Sequence, residues 1–203
     1  MLDSSNGASA VEAAARVLAA GGIVVYPTET LYALGVDAAN ATALQRLVAV
    51  KGREAGKPIA VLVTDREMLE SIVNDVSEVA ARLMRRFWPG PLTMVLRARP
   101  ELSPVLTGGS DGIGVRISSH PMATALVRAL GRPVTAPSAN PAGLQPPQRL
   151  DAARAYFGAR VALYLDGGAL PGEPASTVID VRDGVRVIRE GAVPTAAVLE
   201  AVV

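Results

Sequence analysis

The sequence predicts an α/β protein, a mixed sheet with helices packed on it. Three observations carry that reading: short, wholly apolar runs bounded by Gly and Pro, stretches of helical period between them, and a hairpin signal near the end. At 203 residues, 50% of them hydrophobic, the chain can bury one sizeable core, and a single domain over residues 1–203 is expected.

Ser9 and Glu12 have capping-box spacing before an alanine-rich helix that Gly21-Gly22 should end. Ile23 to Tyr26 reads as a buried strand stopped by Pro27, and the hydroxyl-rich run from Thr28 to Gly35 follows as a loop. Loops beyond strand ends are where α/β proteins commonly place ligands. From Thr42 to Val50, Leu44, Leu47 and Val48 share a helical face. Ile59 to Val63 is a second apolar strand, a helix opens after Thr64 and runs to about Val73, and another runs from Ser77 to Phe87. Trp88-Pro89-Gly90-Pro91 breaks that helix. Leu92 to Arg97 is a strand, Pro104 to Gly112 a loop, and Ile113 to Ile117 a strand. Pro121 suits the first position of a helix through Leu130, with His120 as its cap and Gly131 as its terminator. Pro133 to Ala136 resumes the sheet, Ala152 to Phe157 is a short helix, and Val161 to Leu165 a strand. Ser176 to Val181 and Val185 to Arg189 form a hairpin around Asp183-Gly184, and a last helix begins near Thr195.

Composition excludes several chemistries. There is no Cys, and His120 is the only histidine, so disulfide frameworks, cysteine nucleophiles and the usual zinc ligand sets are out, and no protein metal site is expected. With 20 Lys+Arg against 19 Asp+Glu, the net charge of +1 offers no global attraction to nucleic acid or membrane, so any basic surface is local. No apolar run is long enough to span a bilayer and no leader pattern opens the chain, which makes a cytoplasmic location the default.

Local charge does gather from Lys51 to Pro58. Lys51, Arg53 and Lys57 lie within seven residues around two glycines, an arrangement that suits an anion as well as an ordinary helix C-terminus. It is no P-loop, for the glycines are too close and Pro58 stands where a magnesium-holding hydroxyl belongs. Arg116, in an otherwise apolar strand, needs a ligand or a structural ion pair. Ser138 and Asn140 sit in a rigid turn between Pro137 and Pro141.

Five pieces then agree in order and spacing: YPTETLYALG (Tyr26 to Gly35), KGREAGKP (Lys51 to Pro58), FWPGPLT (Phe87 to Thr93), GVRISSHP (Gly114 to Pro121) and APSAN (Ala136 to Asn140). Together they closely resemble the YrdC-like family of threonylcarbamoyl-AMP synthases, in its short single-domain form. The resemblance implies a YrdC-like twisted, open mixed sheet with flanking helices and a large concave face. It implies a nucleotidyltransferase that joins L-threonine, bicarbonate and ATP into threonylcarbamoyl-AMP and pyrophosphate, for tRNA threonylcarbamoyladenosine modification completed by a transfer complex. Double-stranded RNA or tRNA is a further partner that the family suggests. By the same resemblance, Lys51 and Arg53 match the catalytic, ATP-binding pair. Asn140 and Arg189 match further ATP contacts, and Thr28, Arg116, Ser138 and Ser176 match threonine contacts. Mg²⁺ is expected on the ATP phosphates rather than on protein ligands. Ala33, Leu62, Gln148 and Ala175 depart from the family pattern at finer contacts. The rival readings are a YciO-like paralogue and a structured-RNA-binding module without chemistry.

Overall fold

The computed structural model describes residues 4–52, 56–172 and 174–202. The chain opens with α1 (Ser4–Ala19), then β1 (Val24–Pro27), β2 (Tyr32–Gly35), α2 (Ala41–Lys51), β3 (Val61–Leu62), α3 (Arg66–Glu70) and α4 (Glu78–Phe87). It continues through β4 (Leu92–Arg97), α5 (Pro104–Thr107), β5 (Gly112–Arg116), α6 (Pro121–Leu130), β6 (Val134–Thr135) and α7 (Leu150–Phe157). A short 3-10 turn (Gly158–Arg160), β7 (Leu163–Tyr164), β8 (Thr177–Asp180), β9 (Arg186–Arg189) and α8 (Thr195–Glu200) complete it.

The strands form two ladders rather than one sheet. Six run in the order β6-β3-β5-β4-β8-β9, mixing parallel and antiparallel pairs, and three run in the order β2-β1-β7. Backbone bonds join the two ladders: Leu34 N donates to Pro137 O at 2.8 Å, Ala139 N to Tyr32 O at 2.8 Å, and Ala136 N to Ala60 O at 2.8 Å. The segment after β6 is thereby clamped between β2 and β3.

Alternation along the strands sorts the six-stranded ladder into two faces. Leu92, Met94, Ile113, Val115 and Ile179 are buried in one apolar cluster with Leu83 of α4 and Val198 of α8. A second cluster gathers Val11, Ala14 and Leu18 of α1 with Leu126 and Val127 of α6, and reaches Tyr26 and Leu62. The opposite face of the six-stranded ladder carries the polar residues described below.

Several expectations are corrected. α1 starts at Ser4, so Ser9 lies within the helix and its spacing to Glu12 is not a cap. Pro27 ends β1 from inside, and the hydroxyl run is no plain loop, because Tyr32–Gly35 returns antiparallel to β1. That strand lacks alternation, since all four of its residues are buried. The loop before β5 contains the single turn α5, capped by the Ser103 hydroxyl. His120 caps α6 as expected, its Nδ1 accepting from Met122 N at 3.3 Å.

Thr177, fully buried, ties the stretch after β9 to β8. Its hydroxyl donates to Val193 O at 2.6 Å and accepts from Gly191 N at 2.9 Å and Val193 N at 3.0 Å. Thr177→Val, nearly isosteric, strands three partners, the two of Val193 buried, and is expected to lower stability by about 3 kcal/mol in denaturant unfolding.

Candidate active site

Between the polar face of the six-stranded ladder and the β1–β2 hairpin lies a cleft of about 550 Å³, a size typical of sites for small substrates. Its floor follows from the period of two: Thr93 and Val95 of β4, Gly112, Gly114 and Arg116 of β5, and Ser176, Val178 and Asp180 along β8 all line it. Gly114 keeps that floor low, since a Cβ there would stand 3.3 Å from both Ala60 Cβ and Thr93 Cγ2.

Lys51, at the end of α2, is 5% exposed although charged. Its ammonium donates to Ser138 O and Asn140 O, each at 2.7 Å, while its own carbonyl accepts from Ala142 N at 2.9 Å. α2 can end there because Gly52 adopts φ 60°, a left-handed conformation open to glycine. The clasp joins two motifs 87 and 89 residues apart. Asn140 Nδ2 donates to Pro141 O at 3.0 Å and Leu144 O at 2.7 Å, which fixes its amide orientation and leaves Oδ1 buried without a partner among the described residues. The Ser138 side chain lines the cleft.

Arg116 closes β5 and forms an ion pair at 2.5 Å with Glu29, so the buried charge has its partner inside the protein. Ser118 Oγ donates to the other oxygen of the same carboxylate. Thr28, next to Glu29, closes its own turn: its hydroxyl donates to Leu31 O at 2.7 Å and accepts from Thr30 N and Leu31 N, each at 3.3 Å. Arg189 NH2 donates to Ser176 O at 2.8 Å, and Thr93 Oγ1 donates to Ser176 Oγ at 3.2 Å. Burial, and after it the like charge of Arg116, pushes the Arg189 pKa down, though a guanidinium stays protonated at neutral pH.

Lys51, Asn140, Arg189, Thr28, Arg116, Ser138 and Ser176, drawn from sites across the whole sequence, therefore line one cleft. Arg53 lies outside the described residues. A family model described as Telomere recombination, which spans Sua5, YciO and YrdC proteins, matches residues 16–191.

The chain belongs to the Sua5/YciO/YrdC family.

Within that family it is 41% identical over 164 residues to the threonylcarbamoyl-AMP synthase of Thiobacillus denitrificans, covering 81% of this chain and 87% of that protein. It is 37% identical over 191 residues to the threonylcarbamoyl-AMP synthase of Bacillus subtilis, covering 94% of this chain but only 55% of that longer protein. Pyrococcus abyssi Sua5, solved in complex with L-threonine, superposes with a TM-score of 0.91 at 34% identity, over 95% of this chain and 57% of that one.

The departures from the family pattern are placed as well. Ala33 sits in β2 with no positive φ, so the missing glycine demands nothing of the backbone. Leu62 lines the cleft and is paired with Arg116 in the ladder. Ala175 lines the cleft too, whereas the Gln148 side chain lies over Gly172.

Sequence reasoning missed Glu29 and the charged end of the cleft. There Arg182 holds Asp180 at 2.7 Å and also binds Asp111, and Arg186 reaches Asp180 at 3.2 Å. The hydrogen bonds from Arg182, outweighing some desolvation, hold the Asp180 carboxyl well below the usual aspartate range. Its folded pKa lies below the unfolded one, so this stabilisation is present at neutral pH and fades as pH falls below about 4. Asp180→Asn is accordingly expected to melt below the wild type at about pH 7, with the gap narrowing towards about pH 3 in paired thermal melts.

Proposed function

We propose that the chain forms L-threonylcarbamoyl-AMP and pyrophosphate from L-threonine, bicarbonate and ATP, in the cytoplasm, as the first stage of tRNA threonylcarbamoyladenosine modification. The observation that carries this reading is the meeting of the Lys51 clasp, Arg116 and Arg189 in one cleft. The names of the synthases to which the chain is 37–41% identical support it. In this reading one domain, residues 1–203, serves all three substrates, and the adenylate passes to a separate tRNA transfer complex.

Two bond-making steps are needed. The threonine amine takes up bicarbonate with loss of water to give a carbamate, whose oxygen attacks the α-phosphorus and breaks the bridge to the β-phosphate, releasing pyrophosphate. Charge gathers on the phosphates as that bridge breaks, so fixed cations aimed at it stabilise the transition state most. Lys51 and Arg53 take this role, one as a compact ammonium and the other as a planar fork. Arg189 and Asn140, whose Oδ1 is buried and unpaired among the described residues, complete the nucleotide contacts.

Arg116 offers its remaining donors to the threonine carboxylate, the kind of pairing at which a guanidinium excels. Ser138 and Ser176 face the amino acid's polar groups, and Thr28 contributes through the turn that it closes. Magnesium enters with the nucleotide as part of the substrate. Among the described residues, Asp180 is the only carboxylate on the cleft wall, and two arginines already hold it.

Given ATP, labelled bicarbonate and each amino acid in turn, the protein is expected to release pyrophosphate and yield a carbamoyl adenylate with threonine alone. Salt-sensitive RNA binding without pyrophosphate release would favour a binding module instead. Lys51→Ala and Arg53→Ala are expected to abolish adenylate formation in a protein that still folds. Arg116→Lys keeps the charge but loses the fork, and is expected to raise KM for threonine with little change in KM for ATP.

A further inference from the structure

Glu29 has no role in the reaction just described, yet it is the charged group nearest to hand for the arginine at the centre of the site. Its side chain is 13% exposed against 6% for that of Arg116, and it does not line the cleft that Arg116 lines. The carboxylate therefore holds the guanidinium without itself being part of the cleft lining.

Both carboxylate oxygens are engaged, one by Arg116 NH1 and the other by the Ser118 hydroxyl. Ser118 is itself 3% exposed, and its oxygen accepts from His120 N at 3.2 Å at the start of α6. On the other side, the turn carrying Glu29 is locked by the Thr28 hydroxyl and by Thr28 N donating to Leu31 O at 3.2 Å. Glu29 is thus braced from α6 and from the β1–β2 turn at once. Among the described residues, the Arg116 guanidinium makes its only hydrogen bond to Glu29, through NH1. A guanidinium has five N–H donors in a fixed fork, so anchoring one end sets where the others point.

We infer that Glu29 is a positioning residue, whose braced carboxylate fixes the Arg116 guanidinium so that its unspent donors meet the carboxylate of an α-amino acid entering the cleft. The inference rests on the proposed function, because it takes Arg116 to be the amino-acid contact. A guanidinium held in advance binds without first losing rotamer freedom, and the fork then meets both carboxylate oxygens together. A purely structural ion pair would serve folding alone and leave the two substrates' KM values untouched.

Glu29→Gln keeps the size and an acceptor for Arg116 but removes the charge that makes the anchor strong. It is expected to raise KM for threonine and the threonine dissociation constant, measured by calorimetry, about ten-fold. KM for ATP should move less than about two-fold, since the nucleotide contacts do not depend on this carboxylate. Glu29→Asp retains the charge and should recover part of the loss. In an Arg116→Lys background, which has no fork to orient, Glu29→Gln should lose most of its effect.

Thermal melts establish that each variant is folded, and Glu29→Asp carries the comparison should Glu29→Gln not fold. Threonine affinity equal to wild type, an equal loss for ATP, or an undiminished effect in the Arg116→Lys background would overturn the inference. A wild-type chain that binds no threonine would overturn the proposed function, and this inference with it.

Discussion

A buried ammonium holding two carbonyls is the contact on which the site depends. Lys51 comes from the end of α2, and Ser138 and Asn140 from the turn after β6, and together with the bond from Ala142 N to its own carbonyl the residue ties these segments at the cleft. Taking a lysine out of water is costly unless donors and acceptors match, and here two oxygens at 2.7 Å meet it. The same group is then both scaffold and source of positive potential. Its charge is already stationed where a polyanion would lie, so little reorganisation remains when one arrives.

The arginines around that clasp follow a similar rule, each being braced by a partner within the protein. Glu29 holds Arg116, the Ser176 carbonyl holds Arg189, and Asp180 and Asp111 hold Arg182. Long cationic side chains lose much freedom when they bind, and bracing takes up part of that loss during folding. The cleft is electropositive in a chain whose formal net charge is only +1, because position rather than number sets the local field.

Legibility in the sequence follows from the range of the forces involved. β4, α4, α6 and the β8–β9 hairpin were readable because their signals are local: Ser77 and His120 as caps, Gly131 as a terminator, and Asp183-Gly184 at a turn. β2 was not, since all four residues of Tyr32–Gly35 are buried and leave no alternation to read, and its edge away from β1 is held by Pro137 and Ala139, more than a hundred residues away. Family motifs brought seven of the eight site residues to one cleft, yet they are silent on what each side chain touches. That is why the partner of Arg116 appeared only with coordinates: Glu29 lies 87 residues earlier, in a turn whose pattern advertised hydroxyls. The split into two ladders was hidden for a similar reason, as no local pattern tells a strand which neighbour it will have.

The bare backbone of Gly114 has one more consequence. A Cβ at this position would press on Ala60 and Thr93 at 3.3 Å, so bare backbone keeps this part of the cleft floor low. Gly114→Ala would add a methyl to the floor and crowd those two neighbours by a few tenths of an ångström, while leaving every cation of the rim in place. The shape of the hollow and its charge are thus set by different residues, and one can change without the other.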